Sequence, residues 1–358
     1  MTQAPQVLLN RIPSGAPLLI ETVNDLDAWT ALAAEWQELV KRTHQKSPFL
    51  TYEFQRAWWQ YLGGGEWQAA QLNILVGRGD GGRLLGIAPL FRAPNAAGHL
   101  GLHFIGSREI ADFLDFIAQL EDLPAFIQAV CTHLREAEPA LWQHLELDNL
   151  LNTSASLTAL RQVALDFGCK FDVETLQPSP YILMPETLDA YIESLGSKQG
   201  HELRRKLRRA VRNPEPIEFE IIEDKALLPA ALEDFFSLMR QEADKAKFLT
   251  PLMQAQMEAI AHATFDGGWL QLVFLKVGGL RIAAYMNFDY DNCIWAYNAG
   301  FHNAYAHLSP GWLIMAEMIR WSAAHGRRIF DFMRGGEEYK YRFGAVDRFV
   351  QRAVISKT

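Results

Sequence analysis

Hydrophobic and polar positions follow two rhythms along the chain, and the changes of rhythm mark most of its elements. Between 25 and 41, Leu26, Trp29, Leu32, Ala33, Trp36 and Val40 recur at helical spacing, which predicts an amphipathic helix. Ser47-Pro48 breaks that pattern, and a second helix is expected from Tyr52 to Leu62, stopped by Gly63-Gly64-Gly65. The rhythm then shortens. Gln71 to Gly77 and Arg83 to Phe91 predict two strands joined at Gly79-Asp80-Gly81-Gly82, a hairpin signal. Further strands are expected at Leu100 to Ile105, Asp112 to Ile117, His144 to Leu147 and Phe171 to Leu176, with helices at 123–136 and 154–167.

The second half repeats this order. Helices at 187–195 and 198–212 lead to a strand at Ile217 to Ile222, and helices at 226–244 and 251–265 follow. Trp269 to Val277 and Leu280 to Tyr290 form a second hairpin around Gly278-Gly279. The stretch 293–343 then reads strand, loop, helix, strand and a charged segment. Ser309 is expected to cap the helix, Pro310 suits its first position, and Gly311 admits a close ligand or backbone. Trp312, Met315, Ala316, Ile319 and Ala323 give that helix one buried stripe, and Arg328 to Met333 is the next strand. The repeat is one of element order. It predicts a tail at 1–16 and two α/β domains of one type, 17–178 and 179–358, divided near Pro178 to Pro185.

Composition narrows the class without naming a reaction. An apolar fraction of 49% supports full cores rather than disorder. Cys131, Cys169 and Cys293 are widely spaced with no CxxC, which argues against a zinc site or disulfide framework and fits a reducing cytosol. The start of the chain lacks the pattern of a signal peptide, and no apolar run approaches the ~18 residues of a membrane span. The expectation is a cytoplasmic protein. Its net charge of −8 is uneven: residues 198–212 carry seven cations against Glu202 alone, so the remainder is strongly acidic. Such an island points to a local anionic partner, or else to a solvated helix face.

A strand, a loop and a helix with glycine in its first turn make a possible anion site, because the free N–H groups and the helix dipole favour negative charge. Lys340 and Arg342 follow the next strand and are suitable phosphate or carboxylate ligands. Gly300 and Phe301, then Ser309-Pro310-Gly311, Asp331-Phe332, Gly335, Gly336, Glu338, Tyr339-Lys340 and Arg342-Phe343 occur in an order that resembles the FemAB-related acyltransferases. The likeness is to the branch associated with cellulose biosynthesis, within the GNAT (Gcn5-related N-acetyltransferase) superfamily. It is densest at 197–343, with Ser47-Pro48-Phe49-Leu50 and Asp112 to Asp115 similar to that family's first half.

The resemblance implies two tandem GNAT-like domains of mixed sheets flanked by helices. It also implies transfer of an acyl group from a thioester, acyl-CoA, to an amine or hydroxyl of a saccharide or cell-envelope precursor with anionic groups, and no metal. In that scheme Gly300, Ser309, Gly311, Lys340 and Arg342 hold the donor, and Tyr339 or Tyr341 is the acid for the leaving thiolate. Asp331 or Glu338 is the base, although Asp331 lies on the strand face opposite Phe330 and Phe332 and equally suits a structural pairing with arginine. Asp112, Asp115, Arg204, Arg205, Arg208 and Arg334 are the expected substrate-binding residues. The loop His302 to Leu308 lacks the glycine-rich signature of common GNAT enzymes. Two alternatives therefore stand: aminoacyl transfer from charged tRNA, and a non-catalytic binding module on the same fold.

Overall fold

A computed structural model describes residues 18–67, 69–94, 98–106, 108, 110–137 and 143–357. The tail expected at 1–16 lies outside them. The first half opens with β1 (Leu19–Val23), α1 (Leu26–Ala31), α2 (Ala33–Val40) and α3 (Tyr52–Leu62). Asp25 accepts from the Ala28 N–H at the start of α1, and Thr51 does the same for Phe54 in α3, so each helix begins where a side chain satisfies a free donor. Next come β2 (Gln71–Leu72), β3 (Ile74–Arg78), β4 (Leu84–Ala88), β5 (Leu90–Pro94), β6 (Leu100–Phe104) and β7 (Ile117–Ala118). Then α4 (Leu123–Glu136), β8 (His144–Leu151), α5 (Ala155–Phe167) and β9 (Lys170–Pro178) complete this half.

The second half contains β10 (Tyr181–Leu183), α6 (Leu188–Ser194), α7 (Ser197–Val211), β11 (Ile217–Ile221), α8 (Leu228–Met239), α9 (Ala243–Phe248) and α10 (Pro251–Asp266). It continues through β12 (Leu270–Val277), β13 (Leu280–Tyr290), β14 (Cys293–Phe301), α11 (Pro310–Ala324), β15 (Ile329–Asp331) and α12 (Glu338–Arg342), and ends on β16 (Phe349–Ser356).

The strands form three sheets, ordered β1-β3-β4-β7, β2-β5-β6-β8-β16-β9 and β10-β15-β14-β13-β12-β11. Strand directions in the two halves correspond. β1, β3, β4 with β5, β6 and β8 run as β11, β12, β13, β14 and β15 do, antiparallel throughout except that β6–β8 and β14–β15 are parallel. Each parallel pair is bridged by a helix, α4 or α11, as a parallel crossover requires. The long β13 of the second half has two counterparts in the first, broken at Pro89, which has no N–H for a ladder.

The ends of the halves are exchanged. β10 pairs antiparallel with β15, whereas β16, from the end of the chain, inserts between β8 and β9. Residues 349–356, expected in the second domain, thus complete the sheet of the first half. A second correction concerns Asp112 to Ile117, where only Ile117 and Ala118 are strand. Its backbone is held by scattered bonds instead: the Leu114 N–H donates to the Asn149 carbonyl, the Ser47 hydroxyl donates to the Phe113 carbonyl, and the Asp115 carboxylate accepts from the Phe116 N–H.

One hydrophobic core runs through both halves. Phe49 meets Phe288 and Tyr297 at ring-centroid distances of 6.4 and 5.9 Å, and Phe113 meets Trp295 at 5.6 Å. A second core lies on the other face of the β11–β15 sheet, beneath α6, α7 and α11. Burying each such aromatic stabilises by roughly 1.5–3 kcal/mol, so the shared cluster fixes how the two sheets meet.

Candidate active site

The parallel ladder between β14 and β15 is short. It joins Cys293 to Ile329, Ile294 to Phe330 and Trp295 to Asp331, and then stops. β14 continues beside β13 as far as Phe301, with Tyr297 as an extra residue between the pairs Asn287–Ala296 and Met286–Asn298. Such a bulge bends a strand and re-aims its side chains. Beyond β15, Phe332 and Gly335 donate to the carbonyls of Pro180 and Pro178, which draws the chain away from β14. The two strands open into a V.

Asp331 and Lys340 hold that opening. Met333 sits at φ 64°, a left-handed conformation that costs a branched or long residue energy and persists only when its surroundings enforce it. Asp331 supplies the constraint: one carboxylate oxygen accepts from the Met333 N–H at 2.9 Å, and the other pairs with Arg348. Burial pushes the Asp331 carboxyl up to about 6, with Arg348 acting in the opposite direction. The Lys340 ammonium donates to the carbonyls of Met333, Arg334 and Gly335 at 3.2, 2.8 and 3.0 Å and pairs with Glu337 at 2.9 Å. Its donors are spent on the loop, so the expected role of Lys340 as a donor-phosphate ligand is corrected to that of a backbone clamp. Asp331, expected as base or structural partner, makes the structural pairing with Arg348.

A cavity of about 410 Å³ fills the V, between β14, the Phe332–Arg334 turn and the first half of the chain. Tyr285 on β13 and Tyr339 at the start of α12 line it, and their hydroxyls interact. Burial raises both phenols above the ordinary tyrosine value, and Glu337 and Glu242 add to this at Tyr339. Both are therefore protonated at neutral pH and able to give a proton. Tyr339 as a whole is 40% exposed, so part of the residue faces solvent while its phenol bonds Tyr285.

The other expected residues divide between the cavity and the surface. Asp112 lines the cavity, where Arg334 donates to it at 2.5 Å and also to the Arg108 carbonyl and the Asn149 side chain at 2.6 and 3.0 Å. This ties the halves together, so Arg334 is a link between them and not an open substrate ligand. Asp115 lies in the core, where it accepts from Ser154, Ser156 and the Phe116 N–H and faces His44. Tyr341 donates outward to Asp347, and Glu338 pairs with Arg342 on the surface. Those three, expected as catalytic or donor-binding residues, do not line the cavity. Gly300 makes room for protein: a Cβ there would stand 2.5 Å from the Met239 amide nitrogen of α8.

The start of α11 differs from the expected cap. Ser309 is left-handed at φ 59°, so its hydroxyl cannot reach the first-turn N–H groups and accepts from Lys206 of α7 at 2.8 Å instead. Pro310 has no N–H, and those of Trp312 and Leu313 bond the Ser309 carbonyl. The Gly311 N–H has no partner among the described residues. Lys206 also lies over the Trp312 ring at 5.3 Å, and Trp312 packs against Phe343 at 4.5 Å. Phe301 connects this end to the cavity, since its ring meets Tyr285 at 6.0 Å and lies near Gly311. Arg204, Arg205 and Arg208 stay on the outer part of α7, with Arg205 paired to Glu202.

Sequence reasoning missed Tyr285, Tyr297 and Lys206 as members of this site. Tyr297 carried no signal, because a bulge is set by the partner strand. Lys206 was visible one residue from the arginines, on the side of α7 facing α11.

Residues 197–341 match the sequence profile of the acetyltransferase (GNAT) domain. That stretch of the second half is a GNAT-type domain. Its fold is also similar to that of FemX, at 12% identity over 92% of this chain and 96% of that one, with a TM-score of 0.62. A conserved protein of unknown function from Bacteroides thetaiotaomicron matches at 12% identity over 95% and 100% of the two chains, with a TM-score of 0.59. The structure of L-PGS from Bacillus licheniformis matches at 10% identity over 89% and 90%, with a TM-score of 0.54. These likenesses are of fold alone. No curated protein matches its sequence. Among the described residues no group of three or more His, Cys, Asp or Glu is placed to hold a metal, and no helix is long and apolar enough to cross a membrane.

Proposed function

We propose that this GNAT protein is a cytoplasmic acyltransferase that moves an acyl group from a thioester, acyl-CoA in the first reading, to an amine or hydroxyl of a saccharide or cell-envelope precursor. The observation that carries the reading is the V between β14 and β15, open over a cavity with the Tyr339 phenol at its lip. An extended acyl carrier fits alongside a strand edge freed of its ladder. Its phosphates would lie toward Gly311 and Lys206, where a free N–H, a cation and the α11 dipole coincide.

In the reaction the nucleophile adds to the thioester carbonyl, and the tetrahedral intermediate collapses with loss of thiolate. Tyr339 gives that thiolate its proton, and the Tyr285 hydroxyl steadies the phenolate left behind. The proton from the nucleophile goes to Glu337 or Asp244, the solvent-open carboxylates of the cavity, directly or through water. All three cations lining the cavity are engaged by protein: Lys340 by carbonyls, Arg334 by Asp112 and Lys245 by the Ala299 carbonyl and Glu242. This favours a neutral or cationic group, such as an amine, at the reacting end of the acceptor.

A second reading, aminoacyl transfer from charged tRNA, has one observation in its favour. A single free N–H at α11 is a thin cradle for a pyrophosphate. Calorimetric titration of the protein with acetyl-CoA and with charged tRNA separates the two. Binding of acetyl-CoA weakened at least tenfold by Lys206→Met supports the thioester reading, at about 1.4 kcal/mol for one charge-assisted contact. Binding of charged tRNA alone replaces it with the second.

A further inference from the structure

Helix α7 has a second face that the site does not use. Its inner stripe of Leu203, Leu207 and Ala210 packs toward α11, and Lys206 is turned to Ser309. Outside, Arg205 pairs with Glu202, but Lys198, Arg204, Arg208, Arg209 and Arg212 have no ion-pair or hydrogen-bond partner among the described residues. Five unneutralised cations on one helix of an acidic chain call for an outside partner rich in phosphate or carboxylate.

The surface beside these cations is partly apolar. A groove of about 440 Å³ runs between α7, β11 and α11, lined by Leu207, Ala210, Val211, Phe219, Leu275 and Leu313. Val211 is 87% exposed at its edge, although it is an aliphatic side chain. Arg204, Arg208 and Val211 recur at i, i+4 and i+7, so one stripe along the lip of the groove carries two cations and then the exposed valine. Three charged groups also line the groove. Glu317 and Arg320 pair with each other at 2.7 Å, and burial pushes the Glu317 carboxyl up; Glu215 lies at the β11 end.

Cations next to a hydrocarbon-sized groove match the two parts of an anionic lipid. A nucleic acid would use the cations but has no use for the groove, and 198–212 contains no Phe, Tyr or Trp to stack on a base, only His201. We propose that α7 docks on an anionic membrane surface, with Arg204, Arg208, Arg209 and Arg212 against headgroup phosphates and the groove beneath Val211 receiving one hydrocarbon chain. Lys206 on the same helix touches the start of α11, so docking would set the donor end of the candidate site close to the bilayer. The inference stands independently of the acyl-transfer reading.

The test is co-sedimentation of the full chain with vesicles of phosphatidylcholine alone or mixed with phosphatidylglycerol. Sedimentation is expected only with the anionic vesicles. The combined Arg204→Gln, Arg208→Gln and Arg209→Gln variant should partition about a hundredfold more weakly, roughly fivefold for each cation lost near the surface. Val211→Ser, which leaves the charge unchanged, should also weaken it, with the unfolding temperature of both variants as in the parent protein. Absence of sedimentation with anionic vesicles, or undiminished sedimentation of the triple variant, overturns the proposal. Parent-like partitioning of Val211→Ser removes the groove from it. If the helix instead shifts RNA in a gel and anionic vesicles do not compete, its partner is a nucleic acid and the membrane assignment fails.

Discussion

Arg334 of the second half donates to Asp112 of the first at 2.5 Å, at the floor of the cavity. The side chains are 10% and 14% exposed, so little water reaches the pair. Arg334→Leu leaves Asp112 and the Asn149 oxygen without this donor. A loss of about 3 kcal/mol in urea unfolding is expected, because breaking a buried pair strands its partner. A loss below about 1 kcal/mol would mean that the pair behaves as a surface ion pair.

Lys340→Met separates clamp from ligand. Three carbonyls and Glu337 lose their donor, so stability should fall by about 3–5 kcal/mol. Differential scanning calorimetry checks this, and a variant as stable as the parent but unable to bind donor would restore Lys340 to the phosphate role.

Asp331 is pushed up to about 6 in the folded chain, from an ordinary value near 3.8. The folded state therefore holds the proton more tightly than the unfolded one, so this group contributes stability below about pH 4 and loses it as pH rises to about 6. The window spans about two pKa steps, or roughly 2–3 kcal/mol. Asp331→Asn removes the titration, and the difference in unfolding free energy between parent and variant should change between pH 4 and 6. A difference that is constant over this range contradicts a raised Asp331.

The exchange of end strands also predicts a truncation phenotype. Removing residues 349–358 deletes β16 from between β8 and β9, leaving both strands with unpaired edges and Val350, Ala353 and Ile355 missing from the core. The shortened chain should lack cooperative unfolding by circular dichroism, whereas a chain with β16 dispensable would unfold as the parent does.

Local periodicity made much of this architecture readable. The succession β14, α11 and β15 was legible because Trp312, Met315, Ala316 and Ile319 hold a helical period between two aromatic-rich strands. The place of β16 was not, because its partners at His144 to Leu151 and Lys170 to Pro178 are remote in sequence and propensity carries no partner information. Ser309 looked like a cap because serine usually is one, but the left-handed backbone before Pro310 turned its hydroxyl to Lys206. Lys340 and Arg334 looked like ligands because their charge was visible and their partners were not. Tyr339 alone among the four proposed catalytic residues reached the cavity, two residues along the chain from Tyr341, which points to solvent and Asp347.

The proposed acid role of Tyr339 ties the cavity to acyl transfer. Transfer from an alkyl thioester needs a proton for its basic thiolate, whereas an aryl thiolate departs without one. The direct measurement is the rate of acyl transfer by the parent protein and Tyr339→Phe with matched alkyl and aryl thioesters. With the alkyl donor, kcat should fall by about 10²–10⁴ at little change in KM, and the aryl donor should restore most of the loss. Equal rates for parent and variant with the alkyl donor, or an equal deficit with both donors, would contradict acid catalysis by Tyr339 in the β14–β15 cavity.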